Sequence, residues 1–182
     1  MDLVERVLDF WYAGNIHEKR KAWFVKDPAF DDEIRHRFGT DVERAAAGQH
    51  DGLADSAEGA LALLILLDQF PRNIYRNDPQ TFAADGKALA VAKAAIAQGH
   101  DAGLTPFQRI FFYLPFEHSE DLVDQERAVE LCTGLGDADY LKYAIAHRDV
   151  IARFGRFPHR NVVLGRQSSD AEIEFMKTFN AF

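Results

Sequence analysis

Three short stretches of this chain set ionisable groups beside aromatics and prolines in a way that a plain core does not need. The first is LDQFPRNIYR, residues 67–76. Asp68, Arg72 and Arg76 recur every four residues and share one face wherever a helix continues. Pro71 has no N–H for the carbonyl of Leu67, so the helix must end or kink there. A kink turns Asp68, Gln69 and Asn73 towards a cleft, where Asp68 suits acid–base work and Arg72 and Asn73 suit ligand binding. An Asp68–Arg72 ion pair that closes the helix end explains the same residues without any ligand.

The second stretch is FFYLPFEHSEDLVDQE, residues 111–126. Pro115 is expected to break a helix, and Glu117, His118, Glu120 and Asp121 follow it. Carboxylates with one imidazole can transfer protons or hold a divalent cation. The spacing matches no compact metal signature. Ser119 followed by acids reads as an ordinary helix cap. That reading outweighs a metal site, so no metal is assigned.

The third runs from Lys142 to Arg166, KYAIAHRDVIARFGRFPHRNVVLGR. It holds six Lys or Arg and one acid, Asp149, in a chain whose formal net charge is −8. His147 sits on an apolar stripe and reads as a hydrogen-bonded core histidine. Gly155 fits a C-cap and Pro158 a stop. Arg153, Arg156, Arg160, His159 and Asn161 exceed what a cap needs, and guanidinium forks suit carboxylate or phosphate.

The acids of the second stretch and the bases of the third therefore have two uses. They pair with each other and staple the fold, or they line one pocket with anion-binding and acid–base ends. In the pocket case Glu117, His118, His159 and Asp68 are the acid–base candidates. Arg72, Asn73, Arg153, Arg156, Arg160 and Asn161 are then the ligand-binding candidates. The sequence does not identify a cofactor.

These groups need helices to position them, and helices are what the spacing predicts. The expected spans are 2–13, 18–25, 28–38, 40–47, 56–70, 79–98, 105–114, 120–135, 138–154 and 169–179. Asp27-Pro28 and Asp78-Pro79 place a capping acid before a proline. Thr105 with Gln108, Ser169 with Glu172, and Asp55 with Glu58 read as capping boxes. Ala60–Leu67 is apolar on every side, so its helix should be central. The short NVVLG run reads as a turn.

At 182 residues, 47% hydrophobic and 27% charged, the chain fits one globular domain. Its 15 Phe predict an aromatic core, with Trp11 and Trp23 inside it. The acidic balance argues against a nucleic-acid binder. The longest apolar run is too short for a bilayer, so no membrane association is expected. The N-terminus lacks the basic region of a signal peptide, and the single Cys132 reads as a buried apolar residue; both fit a cytoplasmic protein.

LDQFPRNIYR, FFYLPFEHSED and RFGRFPHRNVVLGR, with VLDFWY early and LGRQSSDAEIEFM late, resemble a mainly bacterial family known as domain of unknown function 924. The resemblance covers nearly the whole chain. It implies an all-α fold of antiparallel helix pairs, packed as a short tetratricopeptide-repeat-like α-α superhelix. It implies no activity, so no residue role carries over. Three functions follow from the sequence: a site for a small anionic ligand with hydrolase-like acid–base chemistry, a helical scaffold for a protein partner or a second copy, and charged motifs that only staple the fold.

Overall fold

Apolar side chains at three-to-four-residue spacing fold the chain into helices, and among the residues described there is no strand. A computed structural model describes residues 1–179. Its main helices are α1 (Leu3–Tyr12), α2 (Pro28–Ala46), α3 (Ala57–Leu64), α4 (Phe70–Ile74), α5 (Asp85–Ala97), α6 (Pro106–Glu117), α7 (Leu122–Leu135), α8 (Ala138–Phe154) and α9 (Asp170–Met176).

Local signals set most helix starts. Asp27 accepts from the Ala29 N–H at 2.9 Å, and Asp78 from the Gln80 N–H at 2.8 Å. Gln108 Oε1 accepts the Thr105 N–H, and Ser169 forms a full capping box with Glu172. Ser56, not Asp55, caps α3. Asp121, not Ser119, caps α7.

Other boundaries differ from the sequence expectation. Residues 28–46 are one helix that passes through Gly39. Residues 18–25 hold only a 3-10 turn at Lys21–Trp23. Residues 79–98 divide into a 3-10 turn, Pro79–Phe82, and α5. Pro115 does not break α6, which runs on to Glu117. Neither does Pro71 end its helix. A π-helical turn over Ile65–Gln69 joins α3 to α4, with the Phe70 N–H reaching back to the Ile65 carbonyl. The wider turn absorbs the missing proline donor, the setting in which π-turns recur near functional sites.

The core is aromatic. Trp11 packs on Trp23, Phe30, Phe70 and Phe111, with ring centroids between 5.5 and 6.1 Å. Trp11 and Tyr12 are buried, so they form no surface patch, while Phe24 is 51% exposed. α3 and the π-turn are wholly buried from Gly59 to Phe70. α6 packs on α7, and α7 on α8, through short connections that force antiparallel neighbours. Among the residues described, no helix is long and apolar enough to cross a membrane.

Candidate functional site

The π-turn, the end of α6 and the middle of α8 meet at one cleft of about 510 Å³. The π-turn and α4 supply Gln69, Arg72 and Asn73, followed by Arg76. α6 supplies Leu114 and Glu117, followed by His118. α8 supplies Tyr140, Tyr143 and His147, and the segment before α2 supplies Lys19, Trp23, Phe24, Val25 and Lys26.

Asp68 is 1% exposed behind the floor. Its Oδ1 lies 2.7 Å from His118 Nδ1, its Oδ2 accepts from Gln69 Nε2 at 2.5 Å, and Arg72 Nη1 stands 3.3 Å away. Burial opposes its ionisation. The charge of Arg72 and the bonds from His118 and Gln69 outweigh burial and hold the carboxyl well below the usual range. Arg72 completes the cluster with a two-pronged pair to Asp85, at 2.9 and 3.0 Å. An ionised Asp68 makes His118 Nδ1 the donor. Burial first, then the charge of Arg72, pushes the imidazole pKa down, so the ring is neutral and Nε2 keeps its lone pair.

Glu117 is 1% exposed. Burial, aided by the Asp68 charge, pushes its carboxyl up to about 8 against a thiol hydrogen bond from Cys132. The site therefore holds one carboxylate, bonded to the His118 imidazole, and one neutral carboxyl at Glu117. Glu117 Oε2 lies 3.5 Å from His147 Nδ1. His147 Nδ1 also donates to the Tyr143 carbonyl at 2.8 Å, and burial lowers its pKa to about 3. The core-histidine expectation for His147 holds, yet the ring lines the cleft. Gln125 Nε2 donates to the carbonyls of Glu117 and Ser119, both at 2.6 Å, and so fixes the end of α6 that carries the site.

The third sequence stretch divides from this cleft. Arg156 forms a two-pronged pair with Glu172 at 2.7 and 2.8 Å, and Arg166 forms another with Glu120 at 2.7 and 3.0 Å. Asn161 is fully buried between Ser168 and Arg166. Arg153 lies over the Phe154 and Phe175 rings. These groups tie residues 155–172 to the helices. His159 lines neither this cleft nor its neighbour. Burial, then Arg160, lowers the His159 pKa to about 4.

Arg160 lies between the two regions. Its guanidinium stacks between Phe82 and Phe157, donates to the His118 carbonyl at 3.0 Å, and stands 3.3 Å from Asp85. It lines a second cleft of about 370 Å³, which also contains His118, Ser119 and Glu120. Of the residues proposed from sequence, Asp68, Arg72, Asn73, Glu117 and His118 come together. Arg153, Arg156, His159 and Asn161 lie elsewhere. Among the residues described, no three His, Cys, Asp or Glu converge as metal ligands.

Sequence reasoning missed Lys19, Lys26 and Asp85. The first two had a signal: HEKRKAWFVKD mixes bases and aromatics as the third stretch does. Asp85 had none beyond its place at a helix start.

The family model for bacterial proteins of unknown function, DUF924, matches residues 7–180. The chain belongs to the DUF924 family. Its fold is similar to the solved structure of ATU0120, a protein of unknown function from Agrobacterium tumefaciens, with a TM-score of 0.91. The two are 42% identical over 97% of this chain and 98% of that one. No curated protein matches the chain. DUF924 membership and the all-α class of the fold agree with the resemblance carried by the three stretches, and neither assigns an activity.

Proposed function

We propose that the cleft binds a small anionic ligand and moves a proton on it. One observation carries this reading: a buried Asp68 carboxylate orients His118 beside the neutral carboxyl of Glu117, beneath a rim bearing Lys19, Lys26 and Arg76. Groups whose environments push their pKa values apart are the usual division between base and acid. His118 Nε2 takes a proton from the ligand or from a water, and Glu117 returns one to the departing or neighbouring oxygen. Asn73 holds the ligand near His118, and Arg72 acts through the Asp68 carboxylate that it holds. Arg153, Arg156 and Asn161 belong to the clasp of the C-terminal segment, and Arg160 fixes the backbone of His118.

The test is thermal unfolding of the purified protein with phosphorylated metabolites, organic acids and divalent metals. A ligand at roughly 100 times its dissociation constant adds about 2.7 kcal/mol, a readable shift. The expected result is an acid that stabilises the wild type and loses that effect in Lys26→Met, a change at an exposed position. A flat response to every anion overturns the reading in favour of a protein partner.

A further inference from the structure

The hydrogen-bond directions on the cleft floor describe the far end of that ligand. An amide side chain has one donating and one accepting end, and its neighbours decide which way it faces. Gln69 gives one N–H of its amide to Asp68 Oδ2, and Asn73 gives one to Asp31 Oδ1 at 2.7 Å. Both partners are carboxylates, so neither amide can turn round. Gln69 and Asn73 line the cleft, and each keeps a carbonyl oxygen with no bonded partner among the described residues, together with one further N–H. His118 adds a third acceptor at Nε2, because Nδ1 is engaged with Asp68. The floor therefore offers three fixed acceptors, which a ligand bearing hydrogen-bond donors can meet.

The cationic side of the cleft is mostly neutralised. Arg72 is paired with Asp68 and Asp85. Arg76 forms a two-pronged pair with Asp31, and Lys19 lies 3.8 Å from Asp139. Lys26 alone among the cleft's Lys and Arg residues has no ion-pair partner within the described residues. One uncompensated cation suits one negative charge and does not suit a polyphosphate. Between rim and floor, Trp23, Phe24, Tyr140 and Leu114 supply apolar and aromatic walls.

We propose that the cleft takes a small monocarboxylic acid with an apolar, aromatic-compatible body and N–H or O–H donors at its far end. The donors face Gln69, Asn73 and His118, and the carboxylate lies at Lys26. This rests on the anion-binding reading above and specifies its ligand class. The donor end also sits where His118 can accept a proton from it.

The experiment titrates the wild type and Lys26→Met with hydroxybenzoate, hydroxyphenylacetate and hydroxyphenylpropionate, para-substituted, and with the same three acids lacking the hydroxyl. Binding is followed by ligand-observed NMR. The series varies the span from carboxylate to donor. At the best span the hydroxylated acid should bind about tenfold tighter than its partner, since a lost bond leaves buried acceptors unsatisfied. Lys26→Met should weaken both acids alike. If the paired acids bind equally and both weaken in Lys26→Met, the donor assignment falls while anion binding stands. If no acid binds, or if binding ignores Lys26, the anion-binding reading falls with it.

Discussion

Asp68 Oδ1 and His118 Nδ1 stand 2.7 Å apart, joining the π-turn to the end of α6. The contact depends on how the backbone passes two prolines. The π-turn before Pro71 places Asp68 and Gln69 side by side at the cleft, and α6 continues through Pro115 to deliver Glu117 and His118. Arg72 holds Asp68 from the other side, so the carboxylate is compensated before any ligand arrives. The imidazole is thus oriented by a fixed charge, the arrangement that keeps one tautomer in place.

Asp68→Asn should show what that charge contributes. The change leaves Arg72 with Asp85 alone and removes the anion that supports a proton on His118. Urea unfolding should show a loss of about 3 kcal/mol, typical when one partner leaves a buried ion pair. NMR titration should find the His118 pKa lower than in the wild type. An unchanged His118 titration would mean that Asp68 does not tune the ring. Because the native Asp68 pKa is depressed, its contribution is present above the ordinary carboxylate range and disappears as pH falls through the native value.

Glu117 has the opposite sign. Its native carboxyl keeps a proton up to about 8, while the unfolded one releases it near 4.5. Across that window the native state binds more protons, so this group lowers stability as pH rises, by up to about 1.4 kcal/mol per pH unit. His147, lowered to about 3, adds the reverse slope on the acid side, so the comparison must be made against a variant. Glu117→Gln should gain on the wild type steadily between about pH 5 and pH 8 in urea unfolding. Parallel curves for the two proteins would show that Glu117 ionises normally.

The sequence carried the local part of this structure. Asp27, Asp78 and Ser169 announce their helices because capping is settled within four residues. Asp68 and Arg72 meet because they lie four apart. Pro71 and Pro115 misled because a missing donor does not say whether the chain stops or widens its turn. Lys26 reaches the cleft only because residues 13–27 dock through Arg20 and Trp23 onto the end of α1, a tertiary event that the local mix of bases and aromatics does not specify. Pairing of charges was equally open. Glu120 went to Arg166 and Glu117 to the cleft, and only the direction of the chain after Ser119 decides between them.

Arg156 makes the clasp testable apart from the cleft. It binds both oxygens of Glu172 and the Gln167 carbonyl, which anchors the start of α9. Arg156→Ala should speed amide hydrogen exchange over residues 170–176 and leave the rest of the protein protected. Acids that stabilise the wild type should still stabilise this variant. Loss of ligand response with α9 still protected would instead return Arg156 to the binding site.

Gly59 tests the packing beneath the site. It lies in the first turn of α3, where a Cβ would fall 2.1 Å from the Leu53 carbonyl oxygen and 2.8 Å from Ser56 Oγ. The carbonyl is backbone and cannot swing aside as a side chain would. Ser56 must also stay in place, because its Oγ accepts the Gly59 N–H that starts the helix. Gly59→Ala would normally favour a helix, by about 1 kcal/mol. Here the clash should reverse the sign and cost about 3 kcal/mol, read as a lower urea midpoint with an unchanged slope. The displaced α3 leads directly into the π-turn that carries Asp68 and Gln69, so the same variant should weaken any acid that binds the cleft. A more stable Gly59→Ala protein would mean that the 3-10 turn just before α3, Asp51–Asp55, yields, and that the π-turn is not braced from below.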